Sequence, residues 1–199
     1  MFENIKDKLN KRILNTKNLT SNFKFIDEKS KKTIKYNDEF YIPFFYYLGQ
    51  AIEPKNLFEL GLNLCIQSSC FLKSCKTVEY MLGFQQKNEN YFNLNIPKSN
   101  LRINYEKKYD LHYGSFFDDE FQKKLNNNKF DLIFINQEYS FDKLFEISES
   151  IYLNNLSKDG IMIFSDISKK NTLDIFENIS KGYRNITENI NNKIGVIIK

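Results

Sequence analysis

The chain has no tryptophan, one histidine, three cysteines, three prolines and seven glycines in 199 residues. So little glycine and proline excludes collagen-like and linker-like chains. Cys65, Cys70 and Cys75 form an odd set with no CxxC pair, which argues against a disulfide framework or a zinc site. Their spacing of five spreads them around a helix, and a reduced, cytoplasm-like compartment is the plain expectation. Arginine is scarce too: Arg12, Arg102 and Arg184 are the whole set. Guanidinium forks are the usual readers of phosphates and guanine edges, so the composition argues against nucleic-acid recognition. No apolar run approaches the ~20 residues needed to cross a bilayer, so no transmembrane segment is expected. Met1 to Asp7 carries charges where a secretion signal needs its apolar stretch.

What is present is ordinary for a globular chain: 41% hydrophobic and 27% charged residues. The length suits one domain with a small extension, able to bury roughly 70% of its unfolded surface. Lysine, asparagine, isoleucine and phenylalanine are abundant, as in proteins of AT-rich genomes. The net charge of +4 is unevenly spread. Up to Tyr36 there are ten basic and four acidic side chains, and beyond it nineteen basic and twenty-one acidic. Phe2, Ile5, Leu9 and Ile13 recur at helical spacing with Lys6, Lys8, Lys11 and Arg12 off the stripe, which predicts a basic amphipathic helix. That segment suits docking on the chain's own domain or on a protein partner.

Residues 22–26 and 33–36 alternate at period two and predict a small hairpin. Residues 40–48 hold six aromatics, with Pro43 suited to a first helical turn. From Asn56 the pattern changes. Strands are expected at 57–60, 77–84, 110–114, 130–135 and 159–164, with helices at 65–76, 119–125, 141–153 and 171–180. Two further strands, 183–188 and 193–199, close the chain as a hairpin. Strands alternating with helices predict parallel βαβ units, hence an α/β fold with a doubly wound, mostly parallel sheet. The division expected is an N-terminal extension over 1–53 and the α/β domain over 54–199.

Three segments carry a resemblance. Phe58-Glu59-Leu60-Gly61 looks like the end of a first strand entering a cofactor loop. Phe130-Asp131-Leu132-Ile133-Phe134-Ile135, followed by Tyr139-Ser140-Phe141-Asp142, is similar to the strand-four segment of small-molecule O-methyltransferases. Leu156 to Asp166 looks like the next motif, a glycine turn and an apolar strand ending in Asp. In this order the chain resembles the class I S-adenosylmethionine-dependent methyltransferases, with their Rossmann-like seven-stranded sheet. The resemblance implies S-adenosylmethionine as cofactor and a small molecule or sugar as methyl acceptor. It places Glu59, Gly61 and Asn63 at the methionine end of the cofactor, Gln85 and Ser115 at the ribose and adenine, and Asn136, Tyr139 and Asp166 toward the acceptor.

The chain also departs from the family pattern. Aligned on E-x-G-x-G-x-G, the glycine positions fall at Gly61, Asn63 and Cys65. The ribose-binding acid expected after strand two is missing from Leu82-Gly83-Phe84-Gln85-Gln86. The metal-dependent branch has an Asp after strand four and an Asp-Asn pair after strand five; here these are Asn136, Asp166 and Ile167. No metal is therefore expected. Two readings remain open: a divergent methyltransferase, or a catalytically inactive methyltransferase-like scaffold or assembly subunit. Several of these residues have plainer uses. Glu59 and Gly61 suit a strand terminus and tight turn, Asp131 a surface strand start, and Asp166 the N-cap of the next helix. His112, inside a strand, reads as structural rather than as a base.

Overall fold

A computed structural model of the chain describes residues 24–26, 33–35, 41–87, 95–104, 108–136, 141–182, 186–190 and 192–199. The predicted basic helix over 2–13 lies outside them. The described chain divides into two compact units, one of 1–53, 63–79 and 90–108, the other of 54–62, 80–89 and 109–199.

In the first unit, β1 (Lys24–Ile26) and β2 (Thr33–Lys35) pair antiparallel with Phe25 opposite Ile34, as the alternation predicts. The aromatic segment forms α1 (Tyr41–Ala51). Ile42, Phe44, Phe45 and Leu48 are buried at helical spacing, so most of that stripe is core. α1 meets α2 (Ile66–Ser74) closely at Gly49, where a Cβ would stand 2.3 Å from Ser74 Oγ. Ser74 Oγ donates to Tyr46 O at 2.5 Å across the same contact. A third helix, α3 (Asn95–Asn104), has no counterpart in the sequence expectation. Its buried Asn100 donates Nδ2 to Leu64 O at 2.9 Å.

In the second unit, the described strands form one seven-stranded sheet. They are β3 (Asn56–Leu60), β4 (Tyr80–Gln86), β5 (Lys108–Gly114), β6 (Phe130–Ile135), β7 (Leu156–Ser165), β8 (Ile186–Ile190) and β9 (Ile194–Ile198). Their spatial order is β5-β4-β3-β6-β7-β9-β8. β3 runs parallel to β4 and to β6, with Glu59 opposite Gly83 on one side and Phe134 on the other. β6 and β7 are parallel, while β9 pairs antiparallel with both β7 and β8, the expected closing hairpin. β6 is apolar and buried at nearly every position, the signature of a strand covered on both faces. β4 begins three residues later than expected, because Thr77 and Val78, good strand formers, belong to the preceding connection.

Helices α4 (Asp119–Asn126), α5 (Phe141–Asn154) and α6 (Lys170–Gly182) alternate with the strands. Phe58, Leu60, Phe84, Ile133, Met162 and Phe164 from the strands share one core with Phe121, Ile147, Ile151, Ile175 and Ile179 from these helices. Each such side chain contributes about 1.5–3 kcal/mol when fully buried. Asp131 has a structural task. Its Oδ2 accepts from Lys55 N at 2.9 Å and Asn56 N at 3.1 Å, pinning the start of β3 to β6. Lys199 Nζ donates to Tyr152 O, Leu153 O and Leu156 O around the end of α5. Burial, and then the nearby Lys129 ammonium, lower its pKa. No described helix is long and apolar enough to cross a membrane.

Candidate functional site

The chain leaves β3 toward β4 and β5 on one side, then returns to β6 on the other. Sheets of this kind open a crevice at that reversal, beyond the carboxyl ends of the two strands. Here those ends are Leu60-Gly61 and Ile135-Asn136. Gly61 N donates to Phe84 O at 2.8 Å and Asn136 N to Leu60 O at 2.7 Å, carrying each ladder one residue past its strand. Gly61 has φ 91°, a backbone region that a Cβ makes costly.

Glu59 is fully buried. By strand alternation it faces away from the core that takes Phe58 and Leu60. Asn136 Nδ2 donates to Glu59 Oε1 at 2.7 Å, bridging the two strand ends at the reversal. Because a carboxylate cannot accept from a carbonyl oxygen, this bond fixes the amide with its nitrogen toward Glu59. The other end, Asn136 Oδ1, is buried and has no hydrogen-bond partner among the described residues. A buried acceptor without a donor costs about 1–3 kcal/mol and calls for an incoming one.

Two further loop residues lie in the other unit, and their backbone is informative alone. Asn63 has φ 45° and Cys65 φ 54°. Both occupy positions where the resemblance expects glycine, and both have a left-handed conformation. Asn tolerates this region; Cys does so rarely. Cys65 is also the N-cap of α2, yet its side chain makes no capping bond there.

On the β4 side, Gln85 is buried at the strand end, and Gln86 turns back to Lys87 O. After β5, Ser115 is exposed, and the group that organises the loop is Asp118. Its Oδ2 accepts from Ser115 N at 2.9 Å and lies 3.3 Å from His112 Nε2. A Cβ on Gly114 would stand 2.3 Å from that oxygen, so glycine makes room for the carboxylate. His112 stacks on Phe84 at 5.9 Å and leans on Phe121 at 5.1 Å, a packed position in keeping with the structural expectation.

On the β7 side, Asp166 has φ 63°, is partly exposed and finds its partners within its own loop. Ser168 Oγ donates to Oδ1, and Lys169 Nζ lies 3.3 Å from Oδ2. The N-cap expectation for Asp166 is corrected: α6 begins at Lys170, and Asp166 instead closes a turn through Lys169 N→Asp166 O at 3.2 Å. Ile167 is a core residue. Tyr139 lies outside the described residues. The structure thus brings Glu59, Gly61 and Asn136 together and sets Asp166 one strand further along.

No family model matches the sequence, and no curated protein matches it. Solved structures do. The S-adenosylhomocysteine-bound methyltransferase PaMTH1 of Podospora anserina aligns over 96% of this chain and 87% of its own, at 13% identity and TM-score 0.63. An O-methyltransferase from Bacillus cereus, in complex with the same product, covers 97% and 91% at 14% identity and TM-score 0.61. TomG of Streptomyces achromogenes, an O-methyltransferase of tomaymycin synthesis solved with S-adenosylmethionine, covers 82% and 81% at 8% identity and TM-score 0.60. The chain therefore has the class I S-adenosylmethionine-dependent methyltransferase fold, in its O-methyltransferase-like form.

Proposed function

We propose that the chain is a divergent S-adenosylmethionine-dependent methyltransferase acting on a small molecule or sugar. The observation that carries this reading is the Glu59–Asn136 pair at the reversal point, with an orphaned Asn136 Oδ1 beside a buried carboxyl group. Two acceptors so placed suit an ammonium donor, and the methionine end of the cofactor carries one. The left-handed backbone at Gly61, Asn63 and Cys65 supports the same reading, since this is the loop shape the glycine motif exists to allow.

Glu59 and Gly61 would hold the methionine end, with Asn63 following in the same loop. Gln85 and Ser115 would serve the ribose and adenine, Ser115 through a loop that Asp118 holds in shape. Tyr139 and Asp166 would lie toward the acceptor, while Asn136, which the resemblance sets with them, would instead offer Oδ1 to the methionine ammonium. The cofactor supplies an electrophilic methyl group on a sulfonium. The chain's own share is to hold the acceptor in line with that methyl and keep water away. A hydroxyl acceptor also needs its proton taken, and Tyr139 and Asp166 are the groups assigned near it.

Calorimetric titration of the full chain with S-adenosylmethionine and S-adenosylhomocysteine tests this. A binding heat is expected, with Asn63→Gly tightening it because a Cβ leaves the loop. No heat at millimolar cofactor removes the reading and leaves the inactive scaffold or assembly subunit. Two observations favour that alternative: side chains at 63 and 65 where glycine is expected, and no carboxylate at the end of β4.

A further inference from the structure

We propose that the Asp166–Lys169 ion pair stands in the place of a divalent cation at the carboxyl edge of β7, so that methyl transfer here is cation-independent. The inference rests on the methyltransferase reading for its chemistry, and on the side chains alone for its ligand set.

A hard cation such as Mg²⁺ needs several oxygen ligands, with carboxylates among them. The three positions that would supply them offer one carboxylate among them. Asn136 gives its amide nitrogen to Glu59, which leaves one neutral oxygen. Asp166 keeps its carboxylate, but Ser168 Oγ occupies one oxygen and Lys169 Nζ lies 3.3 Å from the other. Ile167 is buried in the core and offers no ligand. Among the described residues, no group of three His, Cys, Asp or Glu side chains could hold a metal. A cation would also meet the Lys169 ammonium beside that carboxylate, a like charge at close range.

Asp166 is also not a casual surface partner. Its φ of 63° holds it in a conformation that a Lys169 pair on a regular helix would not require. Ile135 lies opposite Phe164 in the ladder, so Asn136 and Asp166 emerge from neighbouring strand ends on one edge of the sheet. The ammonium therefore supplies positive charge where the metal-dependent branch has its cation.

Mn²⁺ titrated into the full chain, followed by the paramagnetic resonance signal of the free ion, tests the ligand set without any cofactor. The signal should be undiminished at millimolar Mn²⁺. Lys169→Glu, at a half-exposed position that leaves the core alone, should take up the ion, as should Asn136→Asp combined with Lys169→Ala, with affinity raised about tenfold or more. One Mn²⁺ bound per wild-type chain at micromolar concentration, and lost in Asp166→Asn, would overturn the proposal. So would failure of Lys169→Glu to gain any binding. A missing calorimetric signal with S-adenosylmethionine would sink the methyltransferase reading while leaving this ligand test intact.

Discussion

The loops after β3 and after β7 depart from the glycine and carboxylate pattern of the resemblance in opposite ways. After β3 two of the three glycine positions carry other residue types, yet Gly61, Asn63 and Cys65 all have positive φ. After β7 the expected residue type is present: Asp166 is a carboxylate, with Ser168 donating to one oxygen and Lys169 beside the other. The first departure puts side chains on an unusual backbone, which costs strain, and the second only adds partners around the expected side chain, which is worth little at a half-exposed pair.

This contrast predicts that the two loops respond unequally to mutation. The largest effect belongs to the β3 side. Asn136→Leu removes one donor from the buried Glu59 and should cost about 1.5–3 kcal/mol in urea unfolding. A loss below about 1 kcal/mol would mean that the pair is incidental. Next is Gly61→Ala, which forces a Cβ into φ 91° and should cost about 1–2 kcal/mol by the same measurement. On the β7 side, Lys169→Ala removes a pair whose members are 53% and 37% exposed, and should change stability by less than about 0.5 kcal/mol. A larger loss there would erase the contrast, since Asp166 would then be structural and not merely occupied.

A further effect, seen only at high pH, lies at the start of β4. Burial, and then the charge and hydrogen bond of Asp110, raise the Tyr80 phenol above its ordinary value of 10.0. Its hydroxyl donates to Asp110 Oδ2 at 3.2 Å. A raised folded pKa keeps the proton in the folded chain while the unfolded chain releases it near 10, so stability falls as pH climbs past that point. Unfolding midpoints from pH 9 to 11 should decline less steeply in Tyr80→Phe, and equal slopes would mean that the phenol does not titrate differently in the two states.

The fold was largely legible because its signals are local. Phe130 to Ile135 reads as a fully covered strand, and β6 has those bounds. The closing hairpin and the alternation of strands and helices likewise follow from periodicity. α3 was not legible: it is polar and rich in asparagine, and two of its buried positions, Ile96, Pro97, Asn100 and Leu101, are a proline and an asparagine, which hide the apolar stripe. The site was legible only in part. Glu59 and Gly61 were marked by their motif, and Asn136 by its place after the strand. That Asn136 reaches Glu59 was not, because the two are 77 residues apart and meet only when β6 returns beside β3. The capture of Asp166 could have been read, since Ser168 and Lys169 lie within one turn of it.

By itself, the amino-acid order determined which segments become strands and helices, because hydrophobic period and turn chemistry act over a few residues. It also set the ion pair of Asp166, whose partners are neighbours along the chain. Only the tertiary structure decided that Glu59 and Asn136 share a hydrogen bond, that Asn136 Oδ1 is buried with no partner among the described residues, and that Asn63 and Cys65 hold a positive φ. Each of these depends on strands distant in sequence lying 4.7–4.9 Å apart in the sheet, or on backbone held by the elements at either end of a loop, and no local pattern carries that information.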